Sequence, residues 1–174
     1  MKRAIRKLEI CPLQGRFAIL DSALAALQRA LPTFRGADGS HEGIAFLCGR
    51  ELPDVTLYTA AVVPESDHRT GYVRCSEEQV AAVSKIARRY GLGLLAQVHS
   101  HPTGLTMHSE GDDRMVLMPF EGMLSIVVPH YAHFDLMPLA GLGIHQFQDG
   151  RWVLARAESV AAQFQVMPTA IDLR

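Results

Sequence analysis

With 174 residues, of which 48% are hydrophobic and 20% are charged, the chain has the size and composition of one folded domain and not of a disordered protein. Its formal net charge is −1 and its lysines and arginines are scattered, which argues against nucleic acid as a partner. No apolar run reaches the roughly 18 to 20 residues that span a bilayer, and none follows the basic N-terminus as in a signal peptide, so we expect a cytoplasmic protein with no membrane partner.

Helices and strands alternate along the chain. Helices are indicated by apolar residues at helical spacing between cap and breaker residues, and strands by short apolar or β-branched runs between turn residues. In chain order we predict a helix from Asp21 to Pro32, strands over 43–47 and 54–63, a helix from Ser76 to Gly91, a strand over 94–98, a short helix over 109–118, a strand over 123–128 and a hairpin over 142–155 with its turn at 149–150. There is no repeat and no glycine-rich phosphate loop, so we predict an α/β fold with a mixed sheet flanked by helices.

Local signals refine these elements. Asp21 or Ser22 is the expected cap of the first helix, and the segment over 65–71 is expected to be a loop that turns at Gly71. The second helix begins with a Ser76–Gln79 capping-box pattern. Its apolar residues at helical spacing are Val80, Val83, Ile86, Ala87 and Tyr90.

Two histidines and an aspartate form the pattern that carries chemistry. His99 and His101 stand two residues apart at the end of a predicted strand, so both imidazoles project to one face while Ser100 points to the other. Asp112 follows on a short helix and can turn back as a third ligand. Three protein ligands plus water are the set that a catalytic zinc requires. The sequence therefore predicts one zinc ion per chain, held by these three residues.

Hydrolysis at such a site needs a proton acceptor and a group that stabilises an oxyanion. Zinc lowers the pKa of its bound water to about 7, and a neighbouring carboxylate completes the deprotonation. Glu42 is the candidate acid/base, and Ser109, three residues before Asp112, is the candidate hydrogen-bond donor to the oxyanion. Ser109 and Asp112 also form the Ser-x-x-Asp pattern of a helix start, and the two roles are compatible.

The spacing of these residues resembles a known family. The run HSHPTGLTMHSEGD matches the pattern of the JAMM (MPN+) metalloproteases: an upstream Glu, then His-x-His, seven residues, Ser, two residues and Asp. The segment EGIAFLCG is similar to the family's Glu-x-x-Gly-x-Leu-x-Gly run, with Ala45 where glycine is usual. The similarity extends from about residue 17 to residue 156, as in the shorter prokaryotic JAB-domain members.

This resemblance implies a single MPN (JAB)-like domain over 1–174. Its fold would be a cytidine-deaminase-like sandwich, and residues 157–174 would form a C-terminal tail or a short helix. It also implies an isopeptidase or peptidase that cuts after the C-terminal tail of a ubiquitin-like protein. His99, His101 and Asp112 would be the zinc ligands, Glu42 the acid/base and Ser109 the oxyanion partner. The link between Glu42 and the histidines rests on this family pattern.

Two other functions stay open at this level. One is the processing of a sulfur-carrier or ubiquitin-like precursor. The other is a non-catalytic scaffold of the same fold, although such members typically lack the ligands that this chain keeps. The sequence leaves the modifier and the oligomeric state open.

The remaining histidines and cysteines have simpler interpretations. We expect His108 to be a loop residue, His130 and His133 to be surface residues, and His41 to have no role. Three widely spaced cysteines suit a reducing compartment. Among them, Cys48 is expected to pack in a strand. The position of Cys75 just before a helix cap allows a lowered pKa, but the sequence identifies no partner for this thiol.

Overall fold

The structure is a computed structural model that describes residues 9–115 and 119–170. Helices pack on both faces of one large β-sheet, and two small hairpins lie outside it. In chain order the strands are β1 (Ile10–Cys11), β2 (Phe17–Leu20), β3 (Arg35–Gly36), β4 (Gly39–Ser40), β5 (Ile44–Glu51), β6 (Thr56–Val62), β7 (Asp67–Arg69), β8 (Tyr72–Arg74), β9 (Gly93–Ser100), β10 (Leu124–Val128), β11 (Gly143–Gln148), β12 (Arg151–Ala155) and β13 (Phe164–Met167). The helices are α1 (Asp21–Ala30), α2 (Glu77–Arg89), α3 (Glu110–Met115) and α4 (Ala157–Gln163).

The large sheet is mixed, as predicted. Its strand order is β1-β12-β11-β10-β9-β5-β6-β2-β13 within the described ranges. The neighbours β9 and β10 are parallel, whereas β5 runs antiparallel to β9 and β11 runs antiparallel to β10. The C-terminal ends of β9 and β10 therefore lie next to each other near the middle of the sheet. Strand β11 flanks them on one side and β5 on the other.

The two faces of the sheet bury different residues. On one face, Ala96 and Val98 of β9 belong to a large apolar core that also contains Leu27 of α1 and Val160 of α4. On the opposite face, α2 packs over Phe46 of β5 in a smaller apolar cluster. Because side chains alternate along a strand, the odd-numbered residues at the end of β9 project to this second face.

Several predicted elements are confirmed with adjusted ends. The Ser76–Gln79 capping box is present, with Ser76 N donating to Gln79 Oε1 over 2.7 Å and Gln79 N donating to Ser76 Oγ over 3.3 Å. The last hairpin turns at 149–150, where both residues have positive φ, as a two-residue type I′ turn requires. The short helix α3 begins at Glu110, and residues 116–118 of its predicted span lie outside the described residues.

Other local predictions were wrong. The expected loop over 65–71 contains strand β7, which pairs with β8, although the chain does turn at Gly71 as predicted. Neither Asp21 nor Ser22 caps α1: the cap position is Leu20, and the Asp21 carboxylate instead accepts a hydrogen bond from Thr169 N at 2.9 Å. In α2, Ile86 is 43% exposed and Tyr90 is 74% exposed, so the buried stripe of this helix is narrower than its apolar pattern.

The C-terminal part of the described chain adds a strand that the sequence did not indicate. After α4, residues 164–167 form β13, which pairs in parallel with β2. In the described residues no helix is long and apolar enough to cross a membrane.

Candidate metal centre

His99 and His101 lie side by side at the end of β9. Strand alternation puts both rings on the α2 face of the sheet, where their Nε2 atoms are 3.1 Å apart. The side chains are 1% and 4% exposed. The backbone N–H of His101 donates to the carbonyl of Val128, which holds this end of the strand against β10. The predicted pair of nitrogen donors is therefore assembled by the sheet itself.

The loop after His101 fixes the orientation of its ring. The Nδ1 atom of His101 is 2.9 Å from the carbonyl oxygen of Leu105. A carbonyl only accepts, so Nδ1 carries a proton, and Nε2 is the ring nitrogen that faces His99. A histidine ligand whose other nitrogen donates to a carbonyl is the usual arrangement at metal sites.

Asp112 on α3 completes the group. Its Oδ1 lies 3.6 Å from His99 Nε2, its Oδ2 lies 3.3 Å from His101 Nε2, and its side chain is fully buried. Ser109 positions this carboxylate through a reciprocal cap: Ser109 N donates to Asp112 Oδ2 over 2.5 Å, and Asp112 N donates to Ser109 Oγ over 3.3 Å. The helix-start pattern seen in the sequence thus aims the carboxylate at the histidines.

The three side chains fit a metal ion. One ligand atom from each can be chosen so that all lie within 4.8 Å of one another. Asp112 Oδ1 is buried and accepts no hydrogen bond from the described residues, which is costly for a carboxylate oxygen unless a cation neutralises it. Two imidazole nitrogens and one carboxylate are a donor set that divalent transition metals take.

The electrostatics of the group suit a metal ligand set. Burial raises the pKa of Asp112, but the hydrogen bond with His101 and the charge interaction with His99 outweigh it and hold this pKa well below the usual range. Burial lowers the pKa of His101, whereas Asp112, the Leu105 carbonyl and the charge of Glu42 raise it, with a raised pKa as the result. Asp112 is therefore ionised at neutral pH, as a carboxylate that binds a metal must be.

Glu42 reaches the group through the pairing of β5 with β9. Ile44 is the cross-strand partner of His99. The Gly43 N–H donates to Ser100 Oγ over 2.9 Å, and the Ser100 N–H donates to the Gly43 carbonyl over 3.0 Å. Extrapolated by two residues beyond the paired part of the strands, this register places Glu42 opposite His101 on the same face of the sheet. Its side chain is fully buried, and its charge contributes to the raised pKa of His101. The structure thus brings together all five residues singled out in the sequence.

Two buried histidines near the group were not recognised from the sequence. His108 does lie in a loop, but it is only 3% exposed, and its ring stacks on that of His145 with centroids 3.8 Å apart. Burial and the neighbouring charges of His108 and His99 hold the pKa of His145 well below its usual value. Spacing gave no signal for His145, since it is separated from His108 in the chain by α3, by β10 and by the segments that connect them.

The cysteines are packing residues. Cys48 is fully buried in β5, as predicted, and burial raises its pKa to about 11. The lowered pKa that its position allows for Cys75 is not found, because burial raises the pKa of this thiol to about 11 as well. All three cysteines are free thiols.

An unusual turn borders the centre. His130 and His133 are exposed, as expected, but His130, Tyr131 and Ala132 have φ values of 53°, 54° and 59°. Each such non-glycine residue costs roughly 1–2 kcal/mol. The turn is held by hydrogen bonds from Tyr131 N to the carbonyl of His101 and from the Tyr131 hydroxyl to the carbonyl of Thr70, over 2.8 and 2.7 Å. Strain of this kind concentrates at functional sites.

Comparison with known proteins places these residues in a family context. The model of the family described as prokaryotic homologs of the JAB domain matches residues 24–137, a range that contains all five residues. The protein named probable metalloprotease y4jG of Sinorhizobium fredii is 35% identical over 106 residues, which are 58% of this chain and 65% of that protein. The chain thus spans less than two thirds of that relative.

Two solved structures superpose on this chain. A solution structure of a Desulfitobacterium hafniense protein superposes with a TM-score of 0.59 at 15% identity, over 89% of this chain and 94% of that one. A crystal structure of a JAB1/MPN domain protein from Archaeoglobus fulgidus gives a TM-score of 0.46 at 16% identity, over 86% and 99% of the two chains. At these identities, the first superposition shows a common fold.

Proposed function

Since the chain belongs to the family of prokaryotic homologs of the JAB domain, we propose that it is a zinc-dependent isopeptidase or peptidase that cleaves the amide bond after the C-terminal tail of a ubiquitin-like protein. The observation that carries the proposal is the buried group of His99, His101 and Asp112 with Glu42 beside it. The similarity to a protein named a probable metalloprotease also supports the assignment of this chain as a metal-dependent hydrolase. The ubiquitin-like substrate is taken from the resemblance to the JAMM metalloproteases.

Zinc is the metal that we propose for the group. His99 and His101 would offer Nε2 atoms and Asp112 a carboxylate oxygen, a set of three that leaves a fourth position for water. Zinc bound there would polarise the substrate carbonyl and lower the pKa of its water to about 7.

Glu42 and Ser109 would carry the proton transfer and the charge stabilisation. The Glu42 carboxylate would accept a proton from the attacking water and return it to the leaving amine. Ser109 Oγ accepts the N–H of Asp112, so its hydroxyl hydrogen is left to donate to the carbonyl oxygen on which negative charge develops. Glu42 is buried among protein groups. Its charge therefore interacts more strongly with the charges of the site than it would at an exposed position in water.

The substrate would enter as an extended chain beside the loop that follows His101. Leu105 holds the ring of His101 through its carbonyl while its side chain is 57% exposed, so it offers an apolar contact at the rim of the centre. An extended tail that presents an apolar side chain to Leu105 suits such a surface.

The test is cleavage of defined substrates by zinc-loaded protein. Ubiquitin-like proteins carrying either a C-terminal peptide extension or an isopeptide-linked lysine peptide are incubated with wild-type protein and with Glu42→Ala, and the products are identified by intact mass. We expect wild-type protein to cut directly after the tail, and Glu42→Ala and chelator-treated protein to leave the substrate intact. Wild-type protein that holds one zinc per chain and cleaves neither substrate class would contradict the proposal. The class that is cut separates precursor processing from deconjugation.

A further inference from the structure

A buried network of polar side chains lies behind the metal centre. Its members come from three neighbouring strands and from the segment that leads into and through α3, and none belongs to the proposed ligand set. They are Gln97, His108, Asp113, Ser125 and His145. Exposure is 3% for His108 and 0% for Ser125 and His145, so these groups face one another and not solvent.

The ring of His108 is hydrogen-bonded at both nitrogens. Its Nδ1 lies 3.0 Å from Asp113 Oδ1, and its Nε2 lies 2.9 Å from Ser125 Oγ on β10. Gln97 of β9 donates to the same Ser125 oxygen over 3.4 Å. A carboxylate accepts and does not donate, so Nδ1 of His108 carries a proton. The ring thus links α3 to the sheet.

His145 on β11 holds the backbone of the same residue. Its Nδ1 is 3.1 Å from the carbonyl of Gly143 and therefore carries the proton, which leaves Nε2 to accept the backbone N–H of His108 over 3.2 Å. The two rings are nearly parallel, at 15° with centroids 3.8 Å apart. Residue 108 is consequently fixed to the sheet through its ring and its main chain.

The bond between His108 and Asp113 brackets the turn that carries the chemistry. His108 immediately precedes Ser109, and Asp113 immediately follows Asp112. The helix α3 has only six residues, too few to be stable without tertiary contacts. The reciprocal cap between Ser109 and Asp112 shapes the turn locally but does not tie it to β9.

From this arrangement we propose that His108 is a positioning residue for the metal centre. It acts through Asp113, and holds the Asp112 carboxylate at the distance from His99 that one shared metal ion requires. The inference rests on the proposed function to the extent that a metal ion must bind the group. Groups that orient metal ligands typically contribute 10- to 100-fold in metal affinity.

The experiment measures Zn²⁺ affinity by competition with a chromophoric chelator, the visible absorption of the Co²⁺-substituted protein, and the free energy of unfolding. The variants are His108→Ala, Asp113→Ala and Asp113→Asn, whose Oδ1 can still accept from the His108 ring. Asp113 is partly exposed, at 18% of its side chain, so its replacement tests the bond even where His108→Ala folds poorly. Asp38→Ala is the matched control, because it removes a carboxylate–histidine hydrogen bond of 2.6 Å, to His41, outside the metal group.

We expect Asp113→Ala and His108→Ala to lower Zn²⁺ affinity by about 10- to 100-fold and to shift the Co²⁺ absorption bands, with Asp113→Asn restoring most of the affinity. Asp38→Ala should bind Zn²⁺ as the wild type does. Folded Asp113→Ala protein with wild-type Zn²⁺ affinity and Co²⁺ spectrum would overturn the positioning role while leaving the metal site intact. Wild-type protein that binds neither ion would overturn the proposed function and this inference with it.

Discussion

Replacing Gly143 with alanine tests whether close backbone packing sets the position of the loop between the histidines and Asp112. A Cβ atom at residue 143 would lie 1.9 Å from the carbonyl oxygen of Thr106 and 2.7 Å from its Cβ. Ordinary van der Waals contact begins at 3.4 Å, so the loop or the strand would have to move by about 1.5 Å. The obstructing atom belongs to the backbone, which prevents relief by a change of rotamer.

That displacement should reach the metal centre. Thr106 lies between Leu105, whose carbonyl orients the His101 ring, and Ser109, which caps the helix of Asp112. Overpacking of this kind costs about 1–3 kcal/mol of unfolding free energy. A misplacement of about 1 Å near reacting groups can lower a catalytic rate on the order of 10²-fold. The affinity for zinc should fall as well, because the displaced loop orients two of the three ligands.

The assay compares Gly143→Ala with Gly141→Ala. A Cβ at residue 141 meets nothing within 4 Å, so this control should change stability by no more than about 0.5 kcal/mol. Urea unfolding is followed by the fluorescence of Trp152, which is the single tryptophan and is buried. Equal midpoints and equal zinc affinity for the two variants would refute the packing argument.

Three further predictions concern individual side chains. Glu42→Ala should keep its zinc while turnover of a substrate falls by roughly 10²- to 10⁴-fold, and a zinc-loaded variant with full turnover would remove Glu42 from the mechanism. Ser109→Ala should lower kcat by roughly 10²- to 10³-fold and, through loss of the cap, reduce the urea-unfolding free energy by about 1 kcal/mol; an unchanged kcat would leave Ser109 as a cap alone. In native protein at pH 8, a thiol reagent should modify the half-buried Cys11 much faster than Cys48 and Cys75, because burial raises the pKa of the latter two thiols to about 11. Equal reaction rates for all three cysteines would contradict the burial of Cys48 and Cys75.

The parts of the site that lie close together in the chain were predictable from the sequence. Strand alternation put His99 and His101 on one face, and the Ser-x-x-Asp pattern placed the Asp112 carboxylate over the start of its helix. The position of Glu42 depends on which strand pairs with β9 and in which register. A single sequence does not contain that information, so only the resemblance to a family indicated it.

The network around His108 could not be predicted because it depends on strand order. Gln97, Ser125 and His145 become neighbours only once β9, β10 and β11 lie side by side. Each of them read alone is an ordinary polar residue in an apolar strand. The same reason applies to β13, whose partner β2 lies near the other end of the chain. For Cys75, the position before a helix cap suggested a lowered pKa, but burial in the cluster under α2 dominates.

The most direct test of the metal centre is zinc stoichiometry by elemental analysis of tag-free protein, measured side by side for the wild type and His101→Ala. The group of His99, His101 and Asp112 predicts close to one zinc per wild-type chain and a loss of that zinc in the variant. Wild-type protein without zinc, or a variant that keeps its full content, would contradict the assignment of these three residues as the ligands.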